Sequence, residues 1–141
     1  MSKDHDFGTQ YGYMLSDRDS TGLTTSMEDY IETIYRLSAD VIRVNLLAVH
    51  LHVTPSAVSR MAEQLKRKGL IKFERYGYIT LTDEGKETAA FLLWRHDTVK
   101  RLLEQINGDN TKQSEIDLIK HHLSPTTVKN IERFLEEYIE Q

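Results

Sequence analysis

Asp29 and Glu32 stand three residues apart, so a helix would carry them on one face. Asp117 and His121, four apart, share a face nearer the C-terminus, and His96 follows Arg95 on a separate segment. Were these side chains to converge, they would make an oxygen-rich site completed by imidazole nitrogens. That donor set suits Mn²⁺ or Fe²⁺ better than it suits a tetrahedral thiolate zinc site. With no cysteine in the chain, disulfides and Cys-ligated zinc or iron–sulfur centres are excluded. Spacing alone does not establish convergence. The plainer reading makes Asp29 and Glu32 first-turn acids favoured by a helix dipole. It makes His96 a partly buried polar residue and His121–His122 a surface pair.

A second chemistry lies in Thr54-Pro-Ser-Ala-Val-Ser-Arg-Met-Ala-Glu-Gln-Leu-Lys-Arg-Lys-Gly69. Thr54 suits an N-cap, Pro55 suits the first helical position, and Gly69 suits the stop. Val58, Met61, Ala62 and Leu65 recur at helical spacing and face a core. Ser56, Ser59, Arg60 and Gln64 lie off that stripe. Arg and Gln are the types that read guanine and adenine edges in a major groove, which admits one helix. Ser56, Ser59 and the backbone at Thr54 suit phosphate at the helix N-terminus. Lys66-Arg-Lys68 alone would be an ordinary solvated helix end, where cations also suit the dipole.

The surrounding elements turn this helix into a DNA-binding candidate. Ser26-Met-Glu-Asp29 resembles a capping box and opens a helix expected to run to about Ser38. Asn45 is placed to cap a short second helix through Leu51, and Val53-Thr54-Pro55 turns into the third. Leu70–Arg75 and Ile79–Leu81 read as two strands about Tyr76-Gly77-Tyr78, a wing from which Lys72, Arg75 and Tyr76 would grip the DNA backbone or minor groove. Thr82-Asp-Glu-Gly85 opens a long helix that ends at Asn107-Gly108. A helix around Ser114 to His122 follows, and Ser124-Pro125 starts a last one with Val128, Ile131, Phe134, Leu135 and Tyr138 on its apolar side.

The expected fold is therefore mainly α: a winged helix-turn-helix of three helices and a two-stranded wing, followed by an all-helical dimerisation domain. Residues 1–22 read as a flexible arm, 23–82 as the DNA-binding domain and 83–141 as the helical metal-binding and dimerisation domain. Charge follows the same division. Six basic and two acidic residues lie between Thr54 and Tyr78, whereas eight acidic and four basic residues lie from Glu104 onward, although the whole chain carries a formal net charge of -4. A cationic segment joined to an anionic one suits a DNA reader carrying a second module.

No apolar run is long enough to span a bilayer, and no signal-peptide stretch opens the chain, so a cytoplasmic protein without membrane partners is expected. There is no Gly-rich phosphate loop, His-Glu-x-x-His motif or nucleophile elbow, so neither an enzyme nor a small organic substrate is expected. Two competitors remain at this level. One is a metal-dependent hydrolase using the carboxylate and imidazole set, which turnover dependent on His96 would favour. The other is a helical interaction module whose basic patch meets an acidic protein, which an absence of salt-dependent DNA affinity would favour.

Ser26-Met-Glu-Asp-Tyr-Ile-Glu-Thr-Ile-Tyr35, Val53-Thr-Pro-Ser-Ala-Val-Ser-Arg-Met61, Leu81-Thr-Asp-Glu-Gly-Lys86, Arg95-His96 and His121-His-Leu-Ser124, in this order, resemble the manganese transport regulator (MntR) branch of the diphtheria toxin repressor (DtxR) family. The resemblance covers roughly residues 23–141. It implies a homodimeric, metal-activated transcriptional repressor in which metal bound between the domains sets two recognition helices on a palindromic operator, usually that of a manganese-uptake operon. It further implies Mn²⁺ as cofactor, with Fe²⁺ or another divalent transition metal as alternatives. By position, Asp29, Glu32, His96 and His121 match metal ligands of the branch, and Asp117 stands where the branch has a glutamate ligand.

Two departures bear on this. Lys120 stands where the branch has a further glutamate, and a protonated lysine has no lone pair to give a metal. This leaves an alternative within the same fold: a winged-helix regulator in which Lys120 has weakened or replaced metal activation. The stretch Ala39-Asp-Val-Ile-Arg-Val44 is also about two residues shorter than the family norm, a loop change expected to leave the fold intact.

Overall fold

The computed structural model describes residues 21–37 and 39–140, with the side chain of Arg75 outside that description. All of the expected N-terminal arm except Thr21 and Gly22 therefore falls outside the described residues, as does the expected helix end at Ser38. The described chain forms two compact units that divide at Ala90 and Phe91.

The N-terminal unit opens with α1 (Thr25–Arg36). Its cap is Thr24, whose Oγ1 accepts from the Met27 N–H at 3.1 Å, and not Ser26. Met27 explains the shift. It is buried with Tyr30, Ile31 and Ile34 on one helical stripe, so the helix must begin before it. The stretch after α1, expected to be a loop, holds a short strand, β1 (Ile42–Arg43). Helix α2 (Val44–Leu51) follows at once, with Arg43 at the cap position, so Asn45 lies inside the helix. Strand pairing fixes residues 42–43 as extended, and the helix starts where that pairing stops.

Helix α3 (Pro55–Arg67) has the expected signals: Thr54 Oγ1 accepts from the Ala57 N–H at 3.1 Å, and Pro55 takes the first position. Gly69 ends it at φ +80°, a region that costs glycine nothing. Strands β2 (Ile71–Glu74) and β3 (Tyr78–Leu81) pair antiparallel in the register Ile71↔Leu81 to Glu74↔Tyr78. Strand β1 pairs with the other edge of β3, giving the order β1-β3-β2. The wing thus has three strands, one more than expected. The Arg43 guanidinium lies 5.3 Å from the centroid of the Tyr78 ring across that added pairing.

Helix α4 (Asp83–Asn107) is continuous over 25 residues. The Thr82 hydroxyl donates to the Gly69 carbonyl at 2.7 Å and accepts from the Gly85 N–H at 3.0 Å. One side chain therefore closes the end of α3 and opens α4. Gly85 is required by close approach, because a Cβ there would sit 2.0 Å from the Leu70 carbonyl oxygen. The core of this unit holds Ile31, Ile42, Leu47, Val58, Leu65 and Ile79, each at or below 1% exposure.

The C-terminal unit takes the rest of α4, then α5 (Gln113–Lys120) and α6 (Pro125–Phe134), with a wider helical turn at Leu135–Ile139 extending the last helix. Ser124 caps α6 by accepting from the Thr127 N–H at 3.2 Å, as expected. Val99, Leu103 and Ile116 form a buried cluster against which Ile119 and Leu123 pack. This unit also buries charge. The Trp94 indole N–H donates to Glu132 at 2.8 Å, joining α4 to α6. No helix among the described residues is long and apolar enough to cross a membrane.

Candidate nucleic-acid interface and metal centre

Helix α3 turns Val58, Ala62 and Leu65 into the core and leaves Ser56, Arg60 and Gln64 exposed, with Ser59 half-buried. At a rise of about 1.5 Å per residue, such a helix is long enough to lie along a major groove. Thr54 is exposed, but its hydroxyl already serves the helix cap, so its contribution to a phosphate would come through the backbone. Lys66, Arg67 and Lys68 end the helix in exposed positive charge. Arg60 also acts inward: burial pushes the Tyr30 phenol up from its ordinary pKa, and the charge of Arg60 works in the opposite direction.

The wing presents Lys72 exposed on β2 and Tyr76 at 81% exposure on the tip turn Arg75–Gly77. Tyr76 holds φ 68°, an uncommon region for a bulky side chain, which the tight turn imposes. Nothing in the local sequence signals that strain.

The carboxylate and imidazole candidates are distributed over both units. On α1, Asp29 is exposed. Glu32 is buried and accepts from Arg36 Nε at 3.1 Å and from its NH2 at 3.0 Å. Arg36 therefore already offsets one of the two acids. In the C-terminal unit, His96 Nδ1 lies 3.2 Å from Lys120 Nζ, and His121 Nδ1 lies 3.3 Å from Arg95 NH2. Asp117 is exposed; its Oδ1 accepts from Gln113 Nε2 at 3.0 Å and sits 3.4 Å from Lys120 Nζ. Lys120 is 4% exposed and Arg95 1% exposed. Among the described residues, no three His, Asp or Glu side chains are gathered closely enough to hold an ion. The donor types fit a divalent transition metal. What stands at the imidazole nitrogens, however, is a pair of tethered cations. Lys120 was identifiable from sequence as an anomaly; the role of Arg95 was not.

Both parts of the chain have counterparts among known proteins. Residues 22–79 match the iron dependent repressor, N-terminal DNA binding domain, and residues 82–140 match the iron dependent repressor, metal binding and dimerisation domain. The HTH-type transcriptional regulator MntR of Oceanobacillus iheyensis is 37% identical over 111 residues, covering 77% of this chain and 76% of that protein. That of Bacillus subtilis is 36% identical, covering 77% and 78%. An uncharacterised HTH-type transcriptional regulator of Methanocaldococcus jannaschii is 35% identical, covering 82% and 97%. Among solved structures, the metal-dependent transcriptional regulator MtsR superposes with a TM-score of 0.68 at 23% identity; 81% of this chain covers 55% of that one. A manganese-dependent transcriptional repressor in complex with manganese gives 0.65 at 23% identity, covering 78% and 52%. This chain thus spans about half the length of those solved proteins, and the likeness to them is one of fold.

A winged DNA-binding domain followed by a metal-binding, dimerising helical domain defines a metal-responsive transcriptional repressor, not an enzyme. The chain belongs to the iron dependent repressor family, the diphtheria toxin repressor family, on its manganese transport regulator branch. A divalent metal, DNA and a second copy of the chain are accordingly its cofactor and partners.

Proposed function

We propose that the metal is Mn²⁺ and that the protein represses manganese-uptake genes in the cytoplasm by binding a palindromic operator as a homodimer. The exposed face of α3 carries this reading: Ser56, Arg60 and Gln64 stand clear of the core on a capped helix followed by a cationic end and a wing. In this reading Arg60 and Gln64, with Ser56 and Ser59, meet base edges and adjacent phosphates, the backbone at Thr54 meets phosphate, and Lys72, Arg75 and Tyr76 hold the flanking backbone. The exposed apolar side chains Phe134, Tyr138 and Ile139 in the C-terminal unit suit the contact between copies.

The proposed metal ligands are Asp29, Glu32, His96, Asp117 and His121. These side chains would hold a dication, whose fixed positive charge would offset the carboxylates and so favour one conformational population. The relatives named MntR support manganese over iron.

Fluorescence anisotropy on a duplex carrying the promoter of a manganese-uptake operon from the same genome tests this. Mn²⁺ should tighten binding and a chelator should loosen it. Equal affinity in both conditions removes the metal dependence and leaves the DNA reading. That outcome would favour the second reading, in which Lys120 has replaced the ion; its buried place beside His96 and Asp117 is the observation behind it. Absence of any salt-dependent DNA affinity removes the DNA reading.

A further inference from the structure

The two buried cations of the C-terminal unit face the two histidines of the proposed ligand set. Lys120 Nζ lies 3.2 Å from His96 Nδ1 and 3.4 Å from Asp117 Oδ1. Arg95 NH2 lies 3.3 Å from His121 Nδ1. An ammonium or a guanidinium has hydrogens to donate and no lone pair to offer. In both pairs the imidazole Nδ1 is therefore the acceptor, and a neutral ring that accepts at Nδ1 carries its hydrogen on Nε2. Neither ring nitrogen then has a free electron pair. In this arrangement the Nδ1 electron pairs of His96 and His121 are turned toward Lys120 and Arg95.

We propose that Lys120 is a tethered competitor of the metal: its ammonium occupies the electron pairs of His96 and Asp117, and an incoming dication takes those donors only as the ammonium withdraws. Two features favour this over a purely structural lysine. A buried ammonium must be paired, and Lys120 lies within reach of two residues of the proposed ligand set, His96 and Asp117. Lys120 is also the last residue of α5, next to His121, so a small change at that helix end moves the cation and a proposed ligand together. The effect is to raise the metal concentration at which the protein responds, without altering the donor set. Arg95 is fixed in place over the Phe91 ring, at 5.7 Å from its centroid, and positions His121.

This inference rests on His96 and Asp117 being ligands, and the experiment separates the two claims. Long-range ¹H–¹⁵N correlation NMR of the metal-free wild-type protein reads the imidazole tautomers directly; hydrogen on Nε2 is expected at His96 and His121. Titration calorimetry with Mn²⁺ alone then compares the wild type with Lys120→Met, Lys120→Gln and His96→Ala. Met keeps the length of lysine without its charge, and Gln supplies a second neutral variant. Both should bind Mn²⁺ roughly 10–100-fold more tightly than the wild type, the scale of effect seen when a group beside a metal ligand is changed. His96→Ala should bind more weakly. Hydrogen on Nδ1 of His96 overturns the competition. So does unchanged affinity in both Lys120 variants while His96→Ala still weakens binding, and in that case the ligand assignment survives. Failure of all four proteins to bind Mn²⁺ removes the ligand assignment and the competition together.

Discussion

Among the described side chains, the N-terminal unit keeps its cations outside and buries the carboxylates Glu28 and Glu32, whereas the C-terminal unit buries the cations Arg95 and Lys120 together with Glu132. Much of the first unit follows local chemistry: caps, a glycine stop, a tight turn and a period-matched apolar stripe. The second is held together by side chains that meet far along the chain, as Trp94 and Glu132 do at 38 residues' separation. A surface that must read one duplex tolerates plain solvated charge. A charge held out of water needs a partner, and each pairing there carries more energy.

The largest test of this contrast is Gly85→Ala. The new Cβ would collide with the Leu70 carbonyl, and the overpacking should cost about 3 kcal/mol. Hydrogen exchange should show the loss concentrated at amides of the N-terminal unit; a uniform loss would show that the two units open as one. Next comes Trp94→Phe, which removes the indole donor to a buried carboxylate at a cost of about 2 kcal/mol. Its effect should appear in the C-terminal unit, and a neutral result in denaturant melts would mean the buried charges there contribute little.

Thr54→Ala comes third. Losing the cap bond to Ala57 should cost about 1 kcal/mol and loosen the first turn of α3. The smallest effect concerns Glu140. The Arg101 hydrogen bond holds its carboxyl below the ordinary glutamate value of 4.5, so the pair's contribution is present at neutral pH and is lost as pH falls through that lowered value. Acid titration of wild type against Glu140→Gln should show a slightly steeper loss of stability for the wild type at the acid end. Superimposable curves would mean that this exposed pair is screened by solvent.

What was legible in the sequence follows the split between neighbouring and distant residues, which cuts across both units. Thr54, Pro55 and Gly69 mark α3 because caps and stops are properties of neighbouring residues. Ser124-Pro125 marks α6 for the same reason. Ser26 and Asn45 are cap-type residues too, yet neither caps its helix: burial of Met27 moves the start of α1 upstream, and the pairing of Ile42 with Ile79 decides where α2 begins. Strand β1 has no local signal because two residues become a strand only when β3 lies beside them. At the candidate metal centre, residue types and helical spacing picked out His96, Asp117 and His121. They could not reveal that Arg95 is turned onto His121, a contact 26 residues distant.

The two hydrogen bonds of Thr82, to Gly69 on one side and from Gly85 on the other, bear on how such a reading head is cut from one regulator and grafted onto another. A chimaera joined at residue 82, where the matched families meet, would separate the hydroxyl from half of what it fastens and strip the Leu70 carbonyl of the glycine that lies against it. A junction placed after Ala90 transplants the buckle along with the strap.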